Sequence, residues 1–437
     1  MKKLLFSLLL FCLSGAVRSQ NSLAYWRQII TEDSLIQEEM RFNREGIFMP
    51  LRGIIQTFTH RSFNRMPGPF RENDHRWWDY GLAFSPLAAT WIMKACGIKP
   101  RSTNQRMITA NGLALSLTVG LSQMLKWGVS EVRPDGSDAN SFPSMHAAIA
   151  FMGATVLSRE YGHISPWITI GGYTAATGTQ MLRIGHNAHW MNDVFMGAGI
   201  GVVSTHLAYF LTDRFLGRKG IRRMPLSKSE LAQLRAWDNH PSGFRLLSGS
   251  ETNGRTLAVA NFAEAAPGFD MTGVTLHTSA SLTTGFEAEW FFNNHFFLSA
   301  IGRYTISQAK LEIPNPTVTA WGEQLHIYHG NITAGWTAEL PNLLGNGGPM
   351  RLGVRTLWGV RYNEGVTFHR VAPGRQMGES LLNIKGQLRP EGGAGIVIDM
   401  LQSHNQTVGI SIDYLHTFGT KFMPDRWVIA SSWKAMF

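Results

Sequence analysis

The apolar residues of this chain change their period once, near residue 245, and no other feature narrows the possible folds as far. From Leu82 to Phe215 they run with helical spacing, with candidate helices near 82–97, 107–129, 145–159, 165–182 and 190–214. Beyond about residue 245 they alternate with polar residues, as on a strand whose successive side chains face opposite ways. Val408, Ile410, Ile412 and Tyr414 alternate with Gly409, Ser411 and Asp413, and Phe286, Ala288 and Trp290 oppose Glu287 and Glu289. Two such blocks in series predict an α + β protein of two domains, a helical bundle followed by an antiparallel β-barrel.

About eight strands are expected, near 272–280, 284–292, 295–308, 323–339, 350–363, 391–401, 406–417 and 426–437. Asn293-Asn294 and His404-Asn405 are short turns between them. One face of the strands holds Arg303, Arg351, Arg355, Arg361, Glu287, Glu289, Asp399 and Asp413. Turned inward, these charges make a salt-bridged plug, which disfavours a soluble lipocalin-like barrel with an apolar cavity. An apolar outward face, aromatic strand ends and strands of about ten residues fit a transmembrane barrel. Eight strands leave no open channel. A chain ending in an aromatic strand with terminal Phe437 resembles the bacterial outer-membrane barrels.

In the helical block small residues recur (Gly112, Ala114, Gly120, then Gly171, Gly172, Ala175, Ala176), so helices can approach closely. Lys94, Gln123, Gln180 and His206 interrupt every long apolar run. The block therefore reads as a compact bundle in or against a membrane. The formal net charge of +10 favours an anionic partner. No nucleic-acid-binding motif is present, whereas anionic lipid head groups fit. Residues 1–20 read as a signal peptide, with Lys2 and Lys3 before the apolar Leu4 to Leu13. Cys12 leaves with that peptide, and Cys96 alone can form no intrachain disulfide. The expected divisions are a helical domain over 21–215, a basic linker over 216–245 and a barrel over 246–437.

Three segments within 126–193 carry the chemistry. They are Lys126-Trp-Gly-Val-Ser-Glu-Val-Arg133-Pro134, Ser141-Phe-Pro143-Ser144-Met145-His146, and Arg183-Ile-Gly-His-Asn-Ala-His189-Trp-Met-Asn-Asp193. Lys126 and Arg133, seven apart, are expected on one face of a helix ended by Pro134. His189 and Asp193, four apart, are expected to meet on a helix, where the carboxylate fixes the imidazole tautomer and leaves the other nitrogen free to attack. Pro143-Ser144 reads as a helix N-terminus that offers free N–H groups to a phosphate.

The pattern resembles the signature of the type-2 phosphatidic acid phosphatase and vanadium haloperoxidase superfamily, in which it is Lys, six residues, Arg-Pro; then Pro-Ser-Gly-His; then Ser-Arg, five residues, His, three residues, Asp. The resemblance covers about residues 80–215. It implies that His189 is a nucleophile forming a phosphohistidine, that Asp193 orients it and that His146 is the general acid and then the base for water. It also implies that Lys126, Arg133 and Arg183 hold the phosphoryl oxygens, with Ser144 and the N–H of Met145 as further donors. No metal and no cofactor are implied, because fixed cations take the metal's place. Met145 replaces the usual Gly and is expected to crowd the pocket, and Leu182 replaces the usual Ser and removes a donor.

The expected activity is removal of phosphate from a membrane lipid. Lipid A, at its 1-phosphate, comes first, with undecaprenyl diphosphate and phosphatidate or phosphatidylglycerol phosphate as further substrates. A non-specific periplasmic acid phosphatase, a vanadate-dependent haloperoxidase and a barrel with a vestigial helical domain are the competing readings. The expected place is the outer membrane of a Gram-negative envelope with a periplasm-facing catalytic domain, the inner membrane being the alternative.

Overall fold

The computed structural model describes residues 77–436 apart from short internal stretches, the longest being 223–240 and 341–349. The expected signal peptide and the basic residues Arg223, Lys228 and Arg235 lie outside the described residues.

Among the described residues five helices come first: α1 (Trp77–Ala95), α2 (Asn104–Gly128), α3 (Met145–Tyr161), α4 (Pro166–Gly185) and α5 (Met191–Leu216). Their starts follow local chemistry. Thr103 caps α2 by accepting from the Arg106 N–H, and Ser165 caps α4 by accepting from Trp167, with Pro166 in the first turn. Helix α3 is the core of the bundle and buries most of its surface against the other four. The helices alternate in direction. Residues 79, 126, 146, 183 and 193 meet at one end. At the other, Tyr161 donates to the Ile98 carbonyl and Ser102 bridges Ile221.

Helix α5 lies against α3 because Gly197 and Gly201 face it. A Cβ on Gly201 would stand 2.2 Å from the Ala148 carbonyl oxygen, a backbone atom that cannot yield cheaply. Gly201→Ala is therefore expected to destabilise the protein by about 1–3 kcal/mol, as overpacking does. A lowered midpoint of thermal unfolding in detergent checks this.

The described residues of the second half hold fifteen strands. Eight close a barrel: β1 (Gly243–Thr252), β5 (Ser281–Phe291), β6 (Phe296–Ser307), β9 (Leu325–Leu340), β10 (Met350–Asn363), β13 (Gln387–Ser403), β14 (Gln406–Thr417) and β15 (Asp425–Met436). The order around the barrel is β1-β15-β14-β13-β10-β9-β6-β5, and every neighbour is antiparallel. The remaining strands, β2 (Leu257–Ala258), β3 (Glu264–Ala265), β4 (Thr275–Thr278), β7 (Ala309–Glu312), β8 (Ala320–Gly322), β11 (Val366–Val371) and β12 (Met377–Ile384), form two small sheets. These sheets belong to the connections at one mouth of the barrel and share an apolar core that includes Leu276, Leu311, Phe368, Leu382 and Phe422. The connections at the other mouth include 292–295 and 404–405.

One strand differs from expectation. The first barrel strand is 243–252, which straddles the expected linker–barrel boundary at 245/246 and matches none of the expected strands, while 272–280 contributes only β4 outside the barrel. The outward side chains of β1 meet protein rather than lipid, so its alternation is blurred.

The expected inward set is inside. Arg303, Arg351, Arg355, Arg361, Glu287, Glu289 and Asp413 are buried. Arg355 donates to Glu287 at 2.7 Å and to Asp413 at 2.8 Å, and Arg245 donates to Asp399 at 2.6 Å. Outward residues such as Trp290, Phe296, Ile332, Val354, Trp358 and Leu388 are exposed. Tyr328 and Trp336 mark the two rims on β9, eight residues apart, which is about 27 Å of strand at about 3.4 Å per residue. At a strand tilt of about 40° that is about 20 Å of height, close to an apolar band about 25 Å tall.

The helical bundle packs on the outside of this wall. Leu246, Trp433 and Ala435, all outward-facing, share a core with Ala83, Phe151 and Tyr173, and the Tyr173 and Trp433 rings stack 4.2 Å apart. Leu282 and Ile306 likewise join Ile184, Val194 and Phe195. Helices α2 and α5 are each long and apolar enough to cross a membrane.

Candidate active site

The three sequence segments converge at one end of the bundle. Lys126 lies in the last turn of α2, which stops at Gly128, earlier than expected. Arg133 is therefore not on that helix but in the loop after it, where Glu131 bridges Asn140. The β-branched Val129 takes an extended conformation (φ −126°), and the loop carries Arg133 back to the pocket. The Lys126 ammonium donates to the Asn140 carbonyl at 2.6 Å. The Arg133 guanidinium donates to Asp138 at 2.8 Å and to the Ala188 carbonyl at 3.0 Å.

Ser144 caps α3 and His146 occupies its first turn, as expected. The Ser144 N–H donates to the Asp193 carbonyl at 3.0 Å, which ties α3 to the start of α5. The His146 ring meets Tyr80 edge-on at 4.6 Å, and its titratable neighbours are Arg183, His189, Asp79 and Arg133. Met145 does not crowd the pocket. Its side chain packs between helices with Leu113 and Leu117.

His189 and Asp193 do not share a helix. Trp190 caps α5, so His189 precedes it and Asp193 is in its first turn. The capping geometry brings them together: the Asp193 Oδ2 accepts from the Trp190 N–H at 2.9 Å and from Ser141 Oγ at 2.5 Å. His189 Nδ1 lies 3.5 Å from the same oxygen, a close contact too long for a good hydrogen bond. On the other side of the ring Nε2 lies 3.5 Å from Arg133 Nη1. Burial, then the charges of Arg133, Arg183 and Lys126, hold this imidazole well below its usual range, so it is neutral at pH 7.

Arg183 ends α4 and is buried beside Asp79, to which it donates at 3.0 Å. His186 reaches the same carboxylate at 3.1 Å. Sequence reasoning missed Asp79, Tyr80 and Ser141 as site residues. Asp79 and Tyr80 sit in an aromatic, charged stretch that reads equally well as a surface belt. Asp79→Ala leaves a buried guanidinium without its counter-ion and is expected to cost about 3–5 kcal/mol in denaturant unfolding. Asp79→Asn, which keeps an acceptor, is expected to cost less.

Several buried polar atoms here have no protein partner: Ser144 Oγ, His146 Nε2, His189 Nδ1, Arg183 Nε and Asp193 Oδ1. Buried polar groups are ordinarily satisfied, so such a cluster beside three cations is suited to a charged, oxygen-rich ligand. Among the described residues no cluster of His, Cys, Asp and Glu could hold a metal ion.

Residues 107–215 match the family model described as PAP2 superfamily. A lipid A 1-phosphatase of Porphyromonas gingivalis is 40% identical over 129 residues, which are 29% of this chain and 29% of that protein. The match thus spans less than a third of that relative's length. Three solved structures are similar to the barrel half. They are Neisserial surface protein A (10% identity, 45% of this chain, 97% of that chain, TM-score 0.24), Ail of Yersinia pestis (10%, 46%, 99%, 0.24) and OprG of Pseudomonas aeruginosa (10%, 45%, 96%, 0.28). These scores are low, and the barrel stands on its own closed strand order.

Proposed function

We propose that this chain is a lipid phosphate phosphatase of a Gram-negative outer membrane, acting on lipid A at its 1-phosphate through a phosphohistidine. The observation that carries the reading is the gathering of Lys126, Arg133 and Arg183 around the buried neutral ring of His189, with Asp193 behind it. The match of residues 107–215 to the PAP2 superfamily and the identity with a lipid A 1-phosphatase support it.

In this mechanism His189 Nε2, the nitrogen that faces Arg133, attacks phosphorus. The P–N bond forms as the bond to the leaving lipid oxygen breaks. His146 gives its proton to that oxygen. Asp193 holds the ring from the Nδ1 side and stabilises its developing positive charge, while Ser141 and the Trp190 N–H fix the carboxylate. Lys126, Arg133 and Arg183 hold the three equatorial oxygens, with Ser144 Oγ and the Met145 N–H at the start of α3 as further donors. His146 then takes a proton from water, which attacks the phosphohistidine and releases phosphate. The outward apolar wall of the barrel suits a bilayer, which supports a lipid as the substrate.

The test is phosphate release by purified protein in detergent from bisphosphorylated lipid A, undecaprenyl diphosphate, phosphatidate and a soluble aryl phosphate. One phosphate released per lipid A is expected. Turnover of the soluble ester alone would replace the lipid reading by an acid phosphatase, and silence toward all four would remove the phosphatase reading.

A further inference from the structure

The bundle and the barrel run side by side, and two contacts fix which end of one matches which end of the other. At the site end, Gln324 in the connection before β9 donates to the Ile184 carbonyl at 3.2 Å, and Leu282 and Ile306 pack with Ile184 and Phe195. At the opposite end, Gln406 at the start of β14 donates to the Gly162 carbonyl at 3.1 Å, and the Trp167 and Phe244 rings lie 5.3 Å apart. His146, His189 and Arg183 are thus level with the mouth that carries the small sheets. The turns 292–295 and 404–405 lie at the other mouth.

Outer-membrane barrels keep their short turns in the periplasm and their long loops outside the cell. Here the connections 253–280, 308–324 and 364–386 mark the outer mouth. Helix α2, with 25 residues, is about 37 Å long at about 1.5 Å per residue, enough to cross a hydrocarbon core about 30 Å thick. A site at its C-terminal end cannot also face the opposite side. Aromatic side chains mark both ends of the bundle, as at membrane interfaces: Trp127 beside the site is 81% exposed, and Phe215 at the far end is 83% exposed.

We propose that the catalytic pocket opens on the extracellular side of the outer membrane, level with the head groups of the outer leaflet, and that its substrate is a phosphorylated lipid of that leaflet. The orientation replaces the periplasm-facing arrangement expected from sequence. It deepens the phosphatase reading and, for its substrate, rests on it. Phosphates of outer-leaflet lipids lie at the depth of Lys126, Arg133 and Arg183 and reach the pocket sideways from the bilayer, past Trp127 and the exposed Val132. The lipid is thus processed after it has arrived in the outer leaflet, so the reaction that supplies it is its transport to the cell surface.

The test labels intact Gram-negative cells with a membrane-impermeant maleimide, in full-length protein carrying Cys12→Ser. Ala139→Cys, on the exposed loop beside the site, is expected to label in intact cells with Cys96→Ser in place. The native Cys96, exposed just past the far end of α1, is expected to label only after the outer membrane is permeabilised. Labelling of Ala139→Cys only after permeabilisation would overturn the orientation, whatever the protein's activity. Surface labelling of Ala139→Cys by a protein that releases no phosphate would leave the orientation standing and remove the phosphatase reading. Surface labelling joined to turnover confined to lipids of the inner leaflet would overturn the proposed substrate.

Discussion

His189→Ala is expected to abolish phosphate release from lipid A while leaving the fold intact. The loss should reach about 10⁴-fold or more in kcat, the scale seen when a covalent nucleophile is removed from a group that acts as a unit. The reason is geometric. Nδ1 of His189 is 3.5 Å from Asp193 and Nε2 is 3.5 Å from Arg133, so the ring is the one neutral base wedged between the carboxylate and the cations. Because Asp193 keeps its contacts to Ser141 and the Trp190 N–H, the start of α5 stays capped in the variant. Single-turnover assays with acid quench and a thermal melt read the two effects separately. Activity within about tenfold of wild type would remove the phosphohistidine, since a tenfold loss is only about 1.4 kcal/mol of transition-state stabilisation.

Asp413→Ala is expected to be the most destabilising change in the barrel, at about 3–5 kcal/mol. The Asp413 carboxylate accepts from Arg355 Nε at 2.9 Å and Nη2 at 2.8 Å, and from Arg303. Arg355 keeps a second acceptor in Glu287. Arg303 Nε and Nη1 already have no partner, so loss of Asp413 leaves its buried charge without the carboxylate it donates to, with only the field of Glu287 against it. Combining Asp413→Leu with Arg303→Met should restore much of the loss, because an apolar pair of similar volume can replace a buried ion pair. The urea midpoint of refolded protein in detergent decides it. A double variant no more stable than Asp413→Ala would show that the cost lies in packing and not in charge.

The barrel was legible wherever its outer face meets lipid. Phe286, Ala288 and Trp290 alternate with Glu287 and Glu289 because one row faces an apolar solvent and the other a closed ion network. The same logic hid β1. Its outward Leu246 packs on the helices and its outward Ser248 donates to Gln180 at 3.4 Å, so a polar residue stands where lipid would have required an apolar one. The helices were legible to within a few residues at most ends from period, caps and breakers.

The candidate site divides in the same way. Lys126, Arg133, His146, Arg183, His189 and Asp193 stand at spacings that local geometry makes meaningful, and the chain alone named them. Their supports could not be read. Asp79 reaches Arg183 across 104 residues and Ser141 reaches Asp193 across 52, and no periodicity links residues so far apart. Spacing also misassigned the route, since His189 meets Asp193 across a helix cap and Arg133 returns on a loop.

Sequence by itself determined the helical half and the barrel half, which barrel face is charged and which apolar, and the candidate residues for the site, because each follows from the order of neighbours along the chain. Only the tertiary structure decided which mouth of the barrel the site stands beside. That depends on contacts such as Gln324 with Ile184 and Gln406 with Gly162, made between halves whose sequences carry no common register.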